Sequence, residues 1–179
     1  MKLETATFAM GCFWCSEAIF RRLRGVESVV SGYSGGGIRK PSYEVVSRGT
    51  TGHAEAIQIK FDPKVISYKK LLDVFWHLHD PTTLNRQGAD VGEQYRSVIF
   101  YHSQEQKDLA EKSKEEIEKK GMYKDPIVTE IMPHKAFFPA ENNHQDFYEK
   151  NRLYPYCQVV IDPKIRKLFS EFKDEVGKT

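Results

Sequence analysis

The chain has 179 residues, 40% of them hydrophobic and 12% aromatic, which is enough to build the core of one domain of ordinary size, so we expect a single domain over residues 1–179. Its 27 basic and 25 acidic side chains leave a formal net charge of +2 and form no run of five like charges, which argues against a nucleic-acid partner. No segment approaches the ~20 apolar residues of a membrane span, and residues 1–10 have the pattern of a strand rather than of an export signal, so we expect no membrane association.

The hydrophobic pattern of the first hundred residues predicts strands and helices in a definite order. They are a strand over 3–10, a helix over 13–23, strands over 26–33 and 54–61, a helix capped by Ser67, and a strand over 97–101. This βαββαβ order matches the split βαβ motif. We therefore expect an α+β fold, a two-layer sandwich with a ferredoxin-like βαββαβ core plus a C-terminal extension.

The C-terminal extension begins with a charged helix. Ser103 and Gln106 have the spacing of a capping box, and Gly121 is placed to end the helix at Lys120. Three further elements are predicted after it: an extra strand over 127–132, a short helix over 140–150, and a final helix over 163–175 with Ile165, Leu168, Phe169 and Phe172 turned inward.

Two long segments without clear periodicity, 34–53 and 80–95, separate these elements. Long structured loops commonly carry function. We expect both segments to contribute to a site.

Cys12 is the best candidate nucleophile, because it lies where the first strand passes into the first helix. Helix N-termini lower the pKa of a thiol through the helix dipole and unpaired N–H groups. Cys15, one turn further, completes a Cys-x-x-Cys motif and could attack an oxidised Cys12. Spacing alone leaves open that both are small core residues.

The three cysteines are an odd number in a chain of this length. That fits a reducing compartment, here the cytoplasm, better than a disulfide-stapled secreted protein. One Cys-x-x-Cys and six histidines could in principle supply the four ligands of a structural zinc site. There is no second Cys-x-x-Cys, however, and the histidines, such as His77 and His134, are scattered among predicted helices and loops, so we expect no metal.

Several motifs, spread over nearly the whole chain, resemble those of the A-type peptide methionine sulfoxide reductases. They are Gly11-Cys12-Phe13-Trp14, Pro41-Ser42-Tyr43-Glu44, Gly52-His53-Ala54-Glu55, His79-Asp80-Pro81-Thr82, Asn85-Arg86-Gln87-Gly88, Asp90-Val91-Gly92-Glu93-Gln94-Tyr95-Arg96-Ser97, Ala140-Glu141 and His144-Gln145. Their number and order make the resemblance far more specific than Gly-Cys-Phe-Trp alone.

The resemblance implies a role for each matching residue of the reaction centre. Cys12 would attack the sulfoxide sulfur as a thiolate, and Glu55 would give a proton to the sulfoxide oxygen, which requires burial to raise its pKa. Tyr43 and Tyr95 would bind the same oxygen through their hydroxyls. On sequence alone, Glu55 could equally be a solvated strand-end residue and each tyrosine a packing residue.

The resemblance also implies a substrate pocket. Phe13 and Trp14 would hold the methyl group of the substrate, since methyl groups and sulfur pack well on aromatic faces. Asp90 would order the pocket by hydrogen bonds. Ordinary core packing is the alternative for both aromatic residues.

The implied cycle passes from a sulfenic acid on Cys12 to a disulfide that thioredoxin reduces, without a cofactor. The resolving thiol stays open between Cys15 and Cys157, which resembles the tail cysteine of many relatives. The tail here lacks their glycine-rich stretch, which favours Cys15. The A type implies the S epimer of methionine sulfoxide, free or in peptides, and a monomer.

Two other classes of function remain open. A general thiol–disulfide oxidoreductase or thiol peroxidase would explain Cys-x-x-Cys but not Glu55, Tyr43 and Tyr95 around it. A noncatalytic binding module, stabilised by zinc, would explain the element order and would leave Cys12 unreactive.

Overall fold

The computed structural model of the chain describes residues 1–177. The strands are β1 (Glu4–Met10), β2 (Val26–Ser34), β3 (Ala54–Phe61), β4 (Arg86–Gln87), β5 (Asp90–Val91), β6 (Ser97–Tyr101), β7 (Glu130–Pro133) and β8 (Phe137–Pro139). The helices are α1 (Phe13–Phe20), α2 (Tyr43–Ser47), α3 (Tyr68–His77), α4 (Gln104–Lys120), α5 (Phe147–Lys150) and α6 (Asp162–Glu171).

Six of the strands form one sheet in the order β7-β6-β1-β3-β2-β8. All neighbours are antiparallel except β6 and β7, which are parallel. Strands β4 and β5 form a separate hairpin inside the long segment that follows α3. The structure thus confirms an α+β fold and the six elements predicted for the first hundred residues.

Helices pack on one face of the sheet because β1 alternates large apolar and small side chains. The Phe8 ring lies between α1 and α3, with its centroid 5.7 Å from that of Phe20 and 5.2 Å from that of Phe75. Burying one such ring stabilises the fold by roughly 1.5–3 kcal/mol. This packing fixes α1 immediately beyond the end of β1, where the cysteines begin.

The predicted helix caps are present. The hydroxyl of Ser67 accepts a hydrogen bond from the Lys70 backbone N–H (3.1 Å), and that of Ser103 accepts from the N–H of Gln106 (3.2 Å). The reciprocal half of the capping box is shifted, because the Gln106 side chain accepts from the N–H of His102 at 2.9 Å. Gly121 ends α4 at φ +63°, a left-handed conformation that glycine adopts without strain.

The single helix predicted over 140–150 is wrong. The chain instead forms a short 3₁₀ turn, Asn142–His144, and then α5, with Asp146 between them at φ +56°. The Asp146 N–H donates to both carboxylate oxygens of Glu17 (2.9 and 3.0 Å), and the side chain of Gln145 exchanges hydrogen bonds with the Ser31 backbone. These contacts with α1 and β2 replace helical hydrogen bonds.

The final helix also differs from the prediction. It covers Asp162–Glu171 instead of 163–175, and a wide π-helical turn over Cys157–Ile161 precedes it. Leu168 is buried as predicted, but Phe169 is 42% exposed, so its inward assignment is wrong. Phe172 lies beyond the helix and is buried nonetheless.

The other predicted elements of the extension are shorter than expected. The strand predicted over 127–132 is β7, and its parallel pairing with β6 widens the sheet by one strand.

The segment 34–53 contains the short helix α2. Among residues 1–177, no helix combines the length and the apolar character needed to cross a membrane.

Candidate active site

Cys12 lies at the junction of β1 and α1. Gly11 makes the turn at φ +94°, and a Cβ atom there would come within 2.6 Å of the Gln87 side chain, so the position requires glycine. Cys12 is the residue before the helix and has a non-helical ψ of 126°. Its carbonyl accepts the first hydrogen bonds of α1, from the N–H groups of Cys15 (3.1 Å) and Ser16 (3.4 Å).

Glu55 projects from β3 toward the start of α1. It is 1% exposed, and its Oε1 accepts a hydrogen bond from the Phe13 backbone N–H at 3.1 Å. Burial raises the pKa of this carboxyl to about 8, against the opposing effect of that hydrogen bond, and the charges of Asp90 and Cys15 add to the rise. At neutral pH the carboxyl is therefore mostly protonated and can donate a proton.

The Cys12 and Cys15 thiols interact with each other. A hydrogen bond from Cys12, together with the positive charge of Lys164, lowers the pKa of the Cys15 thiol to about 7 against the opposing effect of burial. Burial raises the pKa of the Cys12 thiol well above its ordinary value, as does its contact with Cys15. In this arrangement the first thiolate forms on Cys15 and is stabilised by the Cys12 S–H group.

The expectation that the start of the helix lowers the pKa of Cys12 is therefore wrong for this arrangement. No backbone N–H of α1 caps the Cys12 side chain. The N–H of Phe13 is bonded to Glu55 instead, so the local donor that would stabilise a Cys12 thiolate is already taken.

Asp90 and Tyr156 are joined on the far side of the Cys15 sulfur. The hydroxyl of Tyr156 donates to Oδ2 of Asp90 at 2.6 Å and lies 3.6 Å from Sγ of Cys15. Asp90 comes from β5, and Tyr156 is the residue immediately before the π-helical turn that precedes α6. Two chain segments distant in sequence therefore meet at this thiol.

The two aromatic residues after Cys12 have different environments. The ring of Phe13 is fully buried, with centroids 5.7 Å from Tyr33 and 6.3 Å from Tyr43. Trp14 is partly exposed, and its ring stacks on Phe147 with centroids 3.7 Å apart and planes 6° from parallel. Trp14 thus offers an accessible aromatic wall, whereas Phe13 supports it from the core.

His144 fixes the orientation of the Trp14 indole. The indole Nε1 donates to Nδ1 of His144 at 3.2 Å, and the imidazole ring lies against Tyr43 with centroids 4.2 Å apart. Burial lowers the pKa of His144, which keeps the imidazole neutral and able to accept this bond.

Tyr43 and Tyr95 keep their hydroxyls free of protein partners within residues 1–177. Burial raises the pKa of Tyr43 to about 12 and raises that of Tyr95 still further, and the charges of Glu55 and Cys12 act on both. Both hydroxyls therefore keep their protons at neutral pH. Two unpaired donors near Cys12 and Glu55 can bind an oxygen atom that carries partial negative charge.

Glu141 holds Tyr43 in place through the backbone. Its carboxylate accepts from the Tyr43 N–H at 3.1 and 3.3 Å and from the hydroxyl of Tyr33 at 3.1 Å. Sequence reasoning gave no role to Glu141, His144, Phe147 or Tyr156. Glu141 and His144 lay in recognised motifs, and Tyr156 adjoins a cysteine, so the only signals were motif membership and position.

Cys157 lies in the same buried cluster as the other two cysteines. It is fully buried at the start of the π-helical turn and packs with Cys12, Cys15 and Ala18. Burial raises the pKa of its thiol. All three cysteines are free thiols, and within residues 1–177 no group of three or more His, Cys, Asp or Glu side chains is arranged to hold a metal ion.

Comparison with known proteins identifies similar chains. The model of the family described as peptide methionine sulfoxide reductase matches residues 4–176. A protein from Sulfolobus acidocaldarius named peptide methionine sulfoxide reductase MsrA is 54% identical over 175 residues, which cover 98% of each chain.

Two solved structures extend the similarity to the fold. That of Mxr1 from Saccharomyces cerevisiae in reduced form has a TM-score of 0.82 and 38% identity, covering 87% of this chain and 90% of that one. A structure of Mxr1 in complex with Trx2 has a TM-score of 0.58 and 30% identity, covering 80% of this chain and 84% of that one.

Proposed function

The chain belongs to the peptide methionine sulfoxide reductase family, and from that premise we propose that it reduces methionine sulfoxide to methionine with Cys12 as the nucleophile. One observation carries the assignment of the site. The buried carboxyl of Glu55 is bonded to the N–H of the residue that follows Cys12, and its pKa of about 8 keeps a proton available beside the thiol. Thiol–disulfide exchange alone offers no substrate oxygen for such an acid to protonate.

In the first step, the sulfur of Cys12 attacks the sulfoxide sulfur while its proton passes to the Cys15 thiolate. Glu55 protonates the sulfoxide oxygen, the S–O bond of the substrate breaks, and the S–S bond formed by the attack breaks as the hydroxyl is transferred to Cys12. Methionine leaves, Cys12 is oxidised to a sulfenic acid, and Glu55 remains as a carboxylate. The two electrons gained by the substrate sulfur come from the Cys12 sulfur.

Two tyrosines would stabilise the oxygen in this step. The free hydroxyls of Tyr43 and Tyr95 would donate to it as its negative charge grows, and the bonds from Glu141 to the Tyr43 backbone would hold one of them in place. Such preorganised donors need no rearrangement during the reaction.

The substrate methyl group would lie against Trp14, with Phe13 behind it and Asp90 ordering the opposite side through its bond to Tyr156. In this arrangement the tyrosine hydroxyls would bind the sulfoxide oxygen from one direction and the Trp14 ring would contact the methyl group from another. The pocket would therefore distinguish the two epimers of the sulfoxide. The S epimer is the proposed substrate, whether free or in a peptide, as for the A type of this enzyme.

In the second step, Cys15 would attack the Cys12 sulfenic acid to form a disulfide and water. The non-helical ψ of Cys12 supports this pairing, because the side chain of Cys12 is not held in the regular helical array that keeps neighbouring thiols apart. Cys157, buried beside them, would then be a reserve thiol that exchanges with the disulfide rather than the first to form it.

An external dithiol must reduce the disulfide, and thioredoxin is the proposed reductant. The complex of the similar protein Mxr1 with Trx2 supports it. The proposal includes a single-domain monomer that works without a cofactor in the cytoplasm, where thiols such as these stay reduced. It includes a ferredoxin-like core too, supported by the order and directions of β6, β1, β3 and β2.

The test is an incubation of the protein with racemic peptide methionine sulfoxide and dithiothreitol, followed by separation of the epimers. We expect selective loss of the S epimer, abolished by Cys12→Ser. Consumption of neither epimer, while the protein still reduces a model disulfide, would favour a general thiol–disulfide oxidoreductase.

A further inference from the structure

The hydroxyl of Tyr156 lies between two acceptors that it cannot satisfy together. It is 2.6 Å from Oδ2 of Asp90 and 3.6 Å from Sγ of Cys15. A phenol has one proton, so it donates to one of the two at a time. While the proton is directed to Asp90, only a lone pair of the Tyr156 oxygen faces the sulfur.

The protonation state of Cys15 decides which arrangement is favourable. A Cys15 thiol can donate its own S–H to the Tyr156 oxygen while Tyr156 donates to Asp90. A Cys15 thiolate facing that lone pair would be repelled by it, and Tyr156 stabilises the thiolate only if its hydroxyl turns and donates to sulfur. The orientation of one hydroxyl is therefore linked to the reactivity of one thiol.

Building on the proposed function, we propose that Tyr156 is a positioning residue that stabilises the Cys15 thiolate during disulfide formation, by turning its hydroxyl from Asp90 to Cys15. Rotation of the O–H bond alone makes the exchange, so the ring need not move. The ring is kept in place by its edge contact with Trp14, at 5.8 Å between centroids and 81° between planes.

The proposed turning of the Tyr156 hydroxyl assigns the resolving step to Cys15 rather than Cys157. The sulfur of Cys15 has a hydroxyl donor within reach, whereas Cys157 is fully buried and its thiol has no hydrogen-bond partner within residues 1–177. In the step itself the Cys15 thiolate attacks the sulfur of the Cys12 sulfenic acid. The S–S bond forms, the S–O bond breaks, and the hydroxide leaves as water with the proton that Cys15 gave up.

Other charged or titratable groups also act on Cys15. They are Cys12 immediately before α1, Glu55 on β3, Lys164 on α6, Cys157 in the π-helical turn and Asp90 on β5. Removing only the hydroxyl of Tyr156 leaves all of these groups in the chain, although Asp90 loses the hydrogen bond that it accepts from Tyr156. Tyr156→Phe keeps the ring and is therefore a specific probe, and Tyr154→Phe, two residues earlier and without a side-chain hydrogen bond in the described chain, is the matched control.

The experiment mixes each reduced protein with one equivalent of peptide methionine sulfoxide in the absence of reductant, over a range of pH. Methionine release reports the first step. Alkylation of remaining thiols after rapid quenching, followed by mass analysis, reports disulfide formation. In Tyr156→Phe we expect disulfide formation to slow by about ten-fold or more, the effect of losing one hydrogen bond to a charged group. Methionine release should fall several-fold less, because the proposed bond from Tyr156 to sulfur is made only in the second step.

The midpoint of the pH dependence of disulfide formation should move upward by about one pH unit in Tyr156→Phe, because the Cys15 thiolate loses a donor. Tyr154→Phe should match the unmodified protein in both steps. Disulfide formation in Tyr156→Phe at the unmodified rate and pH midpoint would overturn the proposal, as would an equal loss in both steps. Failure of the unmodified protein to release methionine would instead overturn the proposed function.

Discussion

The backbone N–H of Phe13 donates to the carboxyl of Glu55 across 3.1 Å, from the first residue of α1 to the second residue of β3. The bond joins the helix that follows Cys12 to the acid that the proposed chemistry requires. It also takes the N–H group that would otherwise be free to stabilise a thiolate at the helix start. In the proposed mechanism, this contact therefore orients the acid and leaves the activation of Cys12 to Cys15.

Replacing the acid by its amide tests the role of Glu55. Glu55→Gln keeps an oxygen that can accept from Phe13 but carries no acidic proton, so methionine formation in a single turnover should fall by roughly 10²–10⁴-fold, the usual contribution of a general acid. Rapid-quench measurement of methionine checks this. Glu17→Gln, another buried carboxyl on the same side of the fold, is the matched control and should keep more than half the rate.

The rate of methionine formation should depend on pH with two limbs. The Cys15 thiolate, with a pKa of about 7, must be present to take the proton of Cys12, so the rate rises through that value. Glu55, with a pKa of about 8, must remain protonated, so the rate falls above it. A maximum between the two values is expected in single-turnover experiments, and a rate that still rises above pH 9 would show that Glu55 is not the acid.

Removing single cysteines separates the two steps of the cycle. Cys15→Ser should still release up to one equivalent of methionine, more slowly because the base is lost, and then stop without an internal disulfide. Cys157→Ser should release methionine and form the Cys12–Cys15 disulfide normally. Peptide mapping of unreduced protein identifies the linkage, and a Cys12–Cys157 disulfide in the unmodified protein would reverse the assignment of these two thiols.

Glu17 anchors the segment after β8 to α1, and its loss should cost stability. Its carboxylate accepts from the Asp146 N–H and from the hydroxyl of Ser31 at 3.2 Å. Glu17→Ala leaves these donors without an acceptor and should lower the free energy of unfolding by roughly 1–3 kcal/mol or more. Urea unfolding measures it, with the exposed Glu111→Ala on α4 as a control expected to change stability by less than about 0.5 kcal/mol.

Sequence periodicity was sufficient to predict the bounds of strands and helices whose hydrogen-bond or packing partners are local or regularly spaced in the sequence. The alternation in 54–61 predicted β3 to the residue, and Ser103 with Gly121 predicted both ends of α4. The predicted helix over 140–150 failed because Asp146 and Gln145 bond to residues more than a hundred positions earlier, which no local pattern encodes.

The site residues, like the secondary-structure elements, divide into those that a local sequence motif predicts and those that depend on distant contacts. Cys12, Glu55 and Tyr43 could be selected by motif, because the chemistry demands those residue types. Tyr156 could not be selected, because its proposed role depends on the tertiary fold, which brings its hydroxyl close to both Asp90 and Cys15. The raised pKa of Cys12 was equally hidden, since it depends on burial and on where the N–H of Phe13 points.

The most direct test of the central claim is to trap the oxidised nucleophile. A Cys15→Ser/Cys157→Ser double variant, given one equivalent of peptide methionine sulfoxide and the sulfenic-acid reagent dimedone, should carry one dimedone group on the peptide that contains Cys12, in proportion to the methionine released. Methionine release without that adduct, or an adduct formed equally without substrate, would contradict the proposal that Cys12 reduces the sulfoxide.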